Sequence, residues 1–178
     1  MLLKIALVLV AAVVLFLGYV ATRDGSFVYE RSGIIKASPE QIFPYISQFK
    51  LGGQWSPYEK DIEMPKTYGG TDGAVGSWME FGPSKSGSGR IEILEVSPNE
   101  MVRLSLHMTA PFEAKNVVIY KLTPEAEGTR FSWTMEGHGG FLGKLMTTLI
   151  DCEKMVSGQF NEGIQNLKIL IESQKHTK

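Results

Sequence analysis

The sequence has little of what metal sites and disulfide frameworks require. It contains one cysteine, Cys152, and three histidines in 178 residues. A single cysteine excludes an internal disulfide and most thiolate metal sites. The histidines stand at positions 107, 138 and 176, so the close spacing of a metal site is also missing. We therefore expect no metal and no other cofactor.

The chain also lacks an excess of charge of either sign. Its formal net charge at pH 7 is −1, from 18 basic and 19 acidic residues. Proteins that bind nucleic acid through its phosphates carry a basic patch or stripe. A nearly neutral chain has no such electrostatic footprint, so nucleic acid is not an expected partner.

Charged residues are missing altogether from a stretch near the N-terminus. The seventeen residues Ile5–Ala21 carry no charge, and as a helix they would be ~26 Å long, near the minimum for crossing a bilayer. A cleaved signal peptide is the alternative, but it needs small residues at the −3 and −1 positions. The two available pairs, Phe16/Gly18 and Tyr19/Ala21, put a bulky aromatic residue at −3. An uncleaved anchor is therefore favoured.

The charges that flank this run give a weak signal for orientation. Lys4 and the terminal amine precede it, and Arg23 lies just beyond it. Basic residues before an apolar run favour a cytoplasmic N-terminus and an exported domain. The sequence thus predicts a single-pass membrane anchor over residues 1–22, which contacts the membrane through residues 5–21, and one domain over residues 23–178 on the periplasmic or extracellular side.

Beyond the anchor, the pattern changes from strand to helix and back to strand. Phe27–Lys36 is rich in β-branched and aromatic residues, which predicts a strand. Ser38 can cap a helix that Pro39 begins, and Gln41 stands at the capping-box position. Asp61 to Gly137 then alternates between apolar and polar residues. The strands predicted there contain Ile62–Tyr68, Ser77–Phe81, Arg90–Val96, Met101–Thr109, Asn116–Thr123 and Thr129–Glu136.

The last segment has the period of a helix. Apolar residues step by three or four from about Phe141 to Ser173, which predicts one long helix with a single apolar stripe. The stripe comprises Leu142, Leu145, Leu149, Cys152, Val156, Phe160, Gly163, Leu167 and Leu170. Gly158 and Gly163 each weaken this helix by ~1 kcal/mol relative to alanine. They mark a bend or a close approach to another element.

The order of these elements predicts an α+β fold. Strands with one apolar face form an antiparallel sheet whose apolar side must be covered, and the long C-terminal helix is the one large element available. We expect a curved antiparallel sheet of about seven strands wrapped around that helix. The early short helices would close one end, and a space is expected between sheet and helix.

Four segments resemble a known family. They are Ile35-Lys36-Ala37-Ser38-Pro39-Glu40-Gln41-Ile42-Phe43, Trp55-Ser56-Pro57, Gly128-Thr129-Arg130-Phe131-Ser132-Trp133 and Phe160-Asn161-Glu162-Gly163-Ile164-Gln165-Asn166-Leu167-Lys168. Together they resemble the SRPBCC superfamily, the START and birch-pollen-allergen type of helix-grip fold, and within it the polyketide cyclase/dehydrase and lipid-transport-like group. The resemblance covers about Phe27–Glu172. It implies the fold but no chemistry, because the superfamily includes carriers, receptors, enzymes and chaperone co-activators.

A set of aromatic and methionine side chains is the candidate ligand site. Such residues supply flexible, polarizable surface on elements that should face one space, as in adaptable apolar pockets. The candidate ligand-binding residues are Trp55, Met79, Phe81, Met108, Tyr120, Trp133, Met135 and Met146. Met155 belongs to the same set. The alternative is that these side chains only pack the core.

Two further side chains have weaker claims to a role. His138 stands in the turn before the last helix, near the expected cavity mouth, and is the one weak candidate for acid–base catalysis at neutral pH. Cys152 lies on the apolar stripe and is expected to be a buried structural thiol.

The sequence therefore favours a membrane-tethered binding or carrier domain for a lipid-like or polycyclic small molecule, held in an internal cavity. Tyr120 or His138 would orient the ligand. Two alternatives stay open: a cyclase/dehydratase-type enzyme that acts on a hydrophobic substrate, and a protein-interaction module. Protein partners are not predicted.

Overall fold

The chain forms an N-terminal helix, an antiparallel sheet with short helices inserted after its first strand, and two C-terminal helices. The computed structural model describes residues 1–60, 63–84 and 87–174. The helices are α1 (Leu2–Thr22), α2 (Pro39–Ser47), α3 (Phe49–Gly52), α4 (Phe141–Leu149) and α5 (Cys152–Ser173), with a 3-10 turn at Pro57–Glu59. The strands are β1 (Ser26–Ile35), β2 (Lys66–Gly69), β3 (Trp78–Ser84), β4 (Gly87–Ser97), β5 (Met101–Ala110), β6 (Ala114–Glu125) and β7 (Gly128–His138).

The seven strands make one sheet in the order β1-β7-β6-β5-β4-β3-β2, and every neighbouring pair is antiparallel. Alternation along β5 and β7 sets its two faces. Val102 and Leu104 are buried on β5 while Arg103 between them is exposed, and Phe131 and Trp133 are buried on β7. One face of the sheet is therefore apolar and needs a cover.

Helix α5 supplies that cover and contacts β1 most closely. Its buried side chains include Phe160, Ile164 and Leu167. At Gly33 on β1, an added β-carbon would lie only 2.7 Å from the Cγ2 atom of Ile164, so the strand needs glycine there to admit the helix. The predicted α+β helix-grip architecture is confirmed.

Helix α2 begins as the sequence predicted. Ser38 precedes it in an extended conformation, Pro39 is its first residue, and the backbone N–H of Ser38 donates to Oε1 of Gln41 at 3.1 Å. This reciprocal cap satisfies donors that the first helical turn would otherwise leave free. Ile42 and Ile46 are buried in the core, so α2 closes one end of the sheet.

The prediction of a single C-terminal helix from Phe141 to Ser173 is wrong. The chain leaves the helix at Ile150, which is extended, and Asp151 then caps α5 by accepting a hydrogen bond from the backbone N–H of Lys154 at 2.9 Å. An aspartate side chain at this position can cap the start of a new helix, which competes with continuation of the preceding helix. The break also exposes Leu142 and Leu149, which the predicted stripe would have buried.

Two local predictions also need correction. The strand expected around Ile62–Tyr68 is shorter, because β2 covers only Lys66–Gly69 and Met64 is buried ahead of it; Ile62 lies outside the described residues. Gly158 and Gly163 sit within the continuous helix α5, so neither marks a bend. Gly163 does mark a close approach, of α5 to the ring of Trp133 on β7.

Helix α1 contains the charge-free run. Its length and composition suffice to cross a membrane, a test that an N-terminal signal sequence also passes. Nearly all of it is exposed, and Val20 is its one buried residue. Its last turn meets α4, where Nζ of Lys144 donates to the carbonyl of Ala21 at 3.3 Å.

Candidate ligand-binding cavity

A large cavity lies between the sheet and the helices α4 and α5. Its volume is about 960 Å³, at the upper end of the range for small-molecule sites. All eight residues predicted to bind a ligand line it, namely Trp55, Met79, Phe81, Met108, Tyr120, Trp133, Met135 and Met146. The structure thus brings the whole predicted set together around one space. Their role in binding a ligand stays a prediction.

Stacked aromatic rings form the rigid wall of this cavity. Trp133 on β7 stacks on Phe160 of α5 with ring centroids 4.3 Å apart, and Trp55 meets Trp133 edge-on at 5.3 Å. Tyr120 on β6 also meets Trp133 edge-on, at 5.4 Å. The indole N–H of Trp55 donates to the carbonyl of Tyr45 at 2.8 Å, which fixes its ring. Offset and edge-to-face contacts of this kind hold rings in place.

Methionines form the adaptable part of the lining. Met79 on β3 is buried, and Met108, Met135 and Met146 are partly exposed toward the space. Met155 lines the cavity at its edge, where 61% of its surface is exposed. Unbranched thioether side chains change rotamer at little cost, so this part of the wall can follow ligands of different shape.

The open end of the cavity lies where β7 runs into α4. Exposed residues line it there, among them Phe112, Phe141, Leu142 and His138. Nδ1 of His138 lies 3.1 Å from Oγ of Ser26, at the start of β1. The histidine is therefore at the cavity mouth, as expected from its place in the sequence.

Cys152 departs from its expectation. It was predicted to be a buried structural thiol, but it is half-buried and lines the cavity as the first residue of α5. The helix break at Ile150 explains the difference, because it turns the start of α5 toward the open end instead of continuing the covered stripe.

A family model for polyketide cyclase / dehydrase and lipid transport proteins matches residues 26–172. The chain belongs to this family. The match spans every strand and nearly all of α5, and it begins after the apolar N-terminal helix. A comparison with curated proteins gives no match.

Solved structures share the fold of this family member at low identity. Protein MLL2253 from Mesorhizobium loti is 20% identical, with a TM-score of 0.61 over 83% of this chain and 97% of that one. Protein SA2116 from Staphylococcus aureus is 13% identical, with a TM-score of 0.65 over 87% and 99%. The Aha1 dimer from Colwellia psychrerythraea is 17% identical, with a TM-score of 0.59 over 82% and 96%. At such identities the likeness concerns the fold alone.

In this family member, one part of the cavity lining is polar. Glu59 lines it and accepts a hydrogen bond from Nζ of Lys66 at 2.7 Å, and the two side chains are only 10% and 19% exposed. Burial raises the pKa of Tyr58 to about 12 and also raises the pKa of Tyr120, an effect that the carboxylate of Glu59 reinforces at Tyr120. Both phenols therefore stay protonated at neutral pH and can donate hydrogen bonds.

One buried donor within the aromatic wall has no partner. The indole N–H of Trp133 donates to no acceptor among the described residues, although only 3% of this residue is exposed. A buried N–H without a partner costs about 1–3 kcal/mol. The wall is thus held by ring packing and not by polar contacts of Trp133.

The sequence alone did not point to Tyr58, Glu59 and Lys66. Glu59 and Lys66 are seven residues apart across an irregular segment, so no helical or strand period pairs them. The one available signal was the adjacent motif Trp55-Ser56-Pro57, which positions Tyr58 and Glu59 in the following 3-10 turn. Within the described residues, no group of three His, Cys, Asp or Glu side chains could hold a metal ion.

Proposed function

We propose that the protein is a membrane-tethered binding or carrier domain for a hydrophobic small molecule, lipid-like or polycyclic. The observation that carries this proposal is the cavity of about 960 Å³, whose lining is dominated by aromatic, methionine and aliphatic side chains. An apolar space of this size is unusual, because protein interiors are close-packed and voids larger than a water are few.

The physical basis of binding is removal of apolar surface from water. A ligand that buries ~400 Å² of apolar surface gains ~10 kcal/mol at ~25 cal/mol per Å². Association and ordering cost ~4–15 kcal/mol, so net binding depends on keeping that cost low. The rigid aromatic wall lowers the ordering cost, and the methionines let the wall follow the ligand. We propose that the eight lining residues predicted from the sequence make these contacts.

The polar part of the lining gives the ligand a direction. Tyr120 presents a protonated hydroxyl within an otherwise apolar wall, near the ion pair of Glu59 and Lys66. A ligand with an acceptor oxygen at one end and an apolar body satisfies both regions. His138 is exposed at the open end of the cavity.

The tether is the second part of the proposal. Residues 1–22 would form a signal anchor and residues 23–178 a domain on the exported side. The support is the length and apolar composition of α1, together with the exposure of all its residues but Val20.

The test begins with the full chain purified in mild detergent. Native mass spectrometry and organic extraction should reveal a co-purifying amphiphile, and a fluorescent fatty acid should bind at one site per chain. Met135→Trp should abolish binding of that probe while the melting temperature changes little, because filling a real void costs far less than overpacking a solid core.

Ile169→Trp is the matched control, since it adds the same side chain to an exposed position of α5 outside the cavity lining. It should bind the probe normally. If the wild type binds no apolar probe and Met135→Trp unfolds, the interior is solid and the proposal is wrong. Recovery of the ligand in chemically altered form, lost in His138→Ala while binding is kept, would assign an enzyme instead of a carrier.

A further inference from the structure

The topology places the ends of four strands, and the three connections that follow or precede them, at one end of the sheet. Ser26 opens β1 and pairs with His138, the last residue of β7. Met108 near the end of β5 pairs with Ala114 at the start of β6, and Asn116 on β6 pairs with Gly137 on β7. The exit of α1, the entry to α4 and the β5–β6 connection therefore share one end, which is also the cavity mouth.

The connection from α1 to this end is very short. Only residues 23–25 separate α1 from β1, so Thr22 and Ser26 can be at most ~14 Å apart. The backbone N–H of Gly139 donates to the carbonyl of Gly25 at 2.9 Å. A β-carbon on Gly25 would lie 2.2 Å from the carbonyl oxygen of Gly139, so this joint has no room for a side chain.

Hydrogen bonds hold helix α4 level with the last turn of α1 along the α1 axis. Nζ of Lys144 donates to the carbonyl of Ala21, and Nη1 of Arg23 donates to Oγ1 of Thr148 at 3.1 Å. The buried Val20 belongs to the same turn. At 1.5 Å per residue, Val20 lies ~3 Å along the axis from the end of α1. Any membrane that α1 spans must therefore reach α4.

Exposed apolar side chains surround the mouth at this depth. We call them the portal surface, and its members are Phe112, Phe141, Leu142, Leu149, Ile150 and Met155. Phe112, Phe141, Leu142 and Met155 also line the cavity. None of the residues of α4 is buried, although the helix is strongly apolar. An apolar cluster of this kind marks a membrane or partner contact.

We infer that the portal surface lies in the interface of the membrane that α1 spans, so that the cavity opens toward lipid. The ligand would be an amphiphile that enters laterally from the bilayer without crossing water. This inference rests on the proposed function, both for the ligand and for the anchoring of α1 in the membrane; the placement of the portal surface relative to α1 rests on the contacts given above. We assign the lipid interface as the partner of the portal surface because only three residues separate the end of α1 from β1, which starts at the cavity mouth.

The orientation can be tested without any ligand. The full chain with Cys152→Ser is placed in phosphatidylcholine nanodiscs, and an environment-sensitive fluorophore is attached through Leu149→Cys or, as control, Glu100→Cys. Glu100 is exposed in the β4–β5 turn, at the opposite end of the sheet. The label at 149 should shift its emission to the blue and be quenched by spin-labelled lipids, while the label at 100 should do neither.

Uptake is tested with a pair of variants matched in exposure. Ile150 and Leu94 are both 46% exposed, neither lines the cavity, and Leu94 lies on β4 away from the mouth. Ile150→Asp should slow transfer of the fluorescent fatty acid from vesicles about tenfold, equivalent to ~1.4 kcal/mol. Leu94→Asp should transfer at the wild-type rate. Both should bind the probe normally at equilibrium in detergent.

The outcomes separate the two proposals. If the label at 149 is as water-exposed as the label at 100, the portal surface faces away from the membrane and this inference is overturned. Equal transfer rates for Ile150→Asp and Leu94→Asp would overturn lateral uptake. Failure of every form to bind the probe in detergent would instead overturn the proposed function and leave the orientation result intact.

Discussion

Gly163 of α5 lies directly against the ring of Trp133 on β7. A β-carbon at position 163 would stand 2.6 Å from Cζ3 of Trp133 and 3.0 Å from Cδ of Pro57. The helix thus reaches the sheet more closely here than any side chain would allow. The approach seats Trp133 against Phe160 and so shapes the aromatic wall of the cavity.

The two glycines inside α5 should respond oppositely to alanine. Gly163→Ala should lower the free energy of unfolding by ~1–3 kcal/mol, because the stacked Trp133 ring cannot move aside. Gly158→Ala should raise it by ~0.4–1 kcal/mol, because nothing lies within 4 Å of its added carbon and the unfolded chain loses freedom. Urea denaturation of both variants measures the difference. Equal effects would contradict the packing described for Gly163.

The largely buried ion pair of Glu59 and Lys66 should contribute far more to stability than an exposed ion pair. Glu59→Ala leaves Lys66 unpaired in a largely buried site and should cost ~3 kcal/mol of stability. Glu162→Ala removes the partner of Lys60 at the surface and should cost no more than ~1 kcal/mol. Thermal unfolding of the two variants provides the comparison.

A double substitution checks the cause of that loss. Glu59→Met with Lys66→Met removes both charges and should be more stable than Glu59→Ala, because no buried charge stays uncompensated. If the double variant is the less stable of the two, the attraction within the pair exceeds its desolvation cost, and an uncompensated lysine is not the cause of the loss.

Stability should fall at alkaline pH through the tyrosines of the cavity. An ordinary tyrosine titrates near 10, whereas burial raises the pKa of Tyr58 to about 12 and shifts the pKa of Tyr120 in the same direction. Above pH 10 the unfolded chain releases these protons before the folded one, so the unfolded state is favoured increasingly as the pH rises toward 12. The urea concentration at the midpoint of unfolding, measured between pH 8 and 12, should fall as the pH rises.

The matched variants for this effect are Tyr58→Phe and Tyr120→Phe. Each variant removes one phenol that loses its proton at a higher pH in the folded state than in the unfolded state. Stability should therefore fall less steeply with pH in each variant, and least steeply in the double variant. Tyr45→Phe serves as the control, because it removes a phenol whose oxygen accepts a hydrogen bond from Nε2 of Gln174 at an exposed contact. An unchanged slope in the double variant would assign the alkaline loss to other groups.

The proposed anchor makes a prediction about location. A phosphatase fused after Lys178 should be active and should stay with the membrane fraction after salt and carbonate washes, because the run Ile5–Ala21 would hold the chain in the bilayer. A form beginning at Thr22 should be soluble and unfold cooperatively, since the family match begins only at residue 26. Release of a trimmed soluble protein from the full chain would identify a cleaved signal instead.

Strong periodicity made much of the fold predictable. The clean alternation in Met101–Thr109 and Thr129–Glu136 predicted two strands with one buried face, and both are present within wider bounds. The capping residues Ser38 and Gln41 predicted the start of α2. These signals are local, so they can be read directly from the order of residues.

The parts that could not be predicted depend on choices between competing local signals or on distant contacts. Asp151 stands within an apolar helical period, and the sequence alone does not decide whether it ends one helix and caps another. The pairing of Glu59 with Lys66 depends on the path of an irregular segment. For the lining residues, shared chemistry predicted a common space, and the three-dimensional curvature of the sheet then provides it.

The pairing of β1 with β7 sets a condition on how the protein is made. Ser26 and His138 are neighbours in the sheet but stand 112 residues apart in the chain. At ~5–20 residues per second, the ribosome needs ~6–22 s to add that stretch. The first strand must therefore wait without its partner while the intervening residues are synthesised, and the sheet is completed only after β7 has emerged.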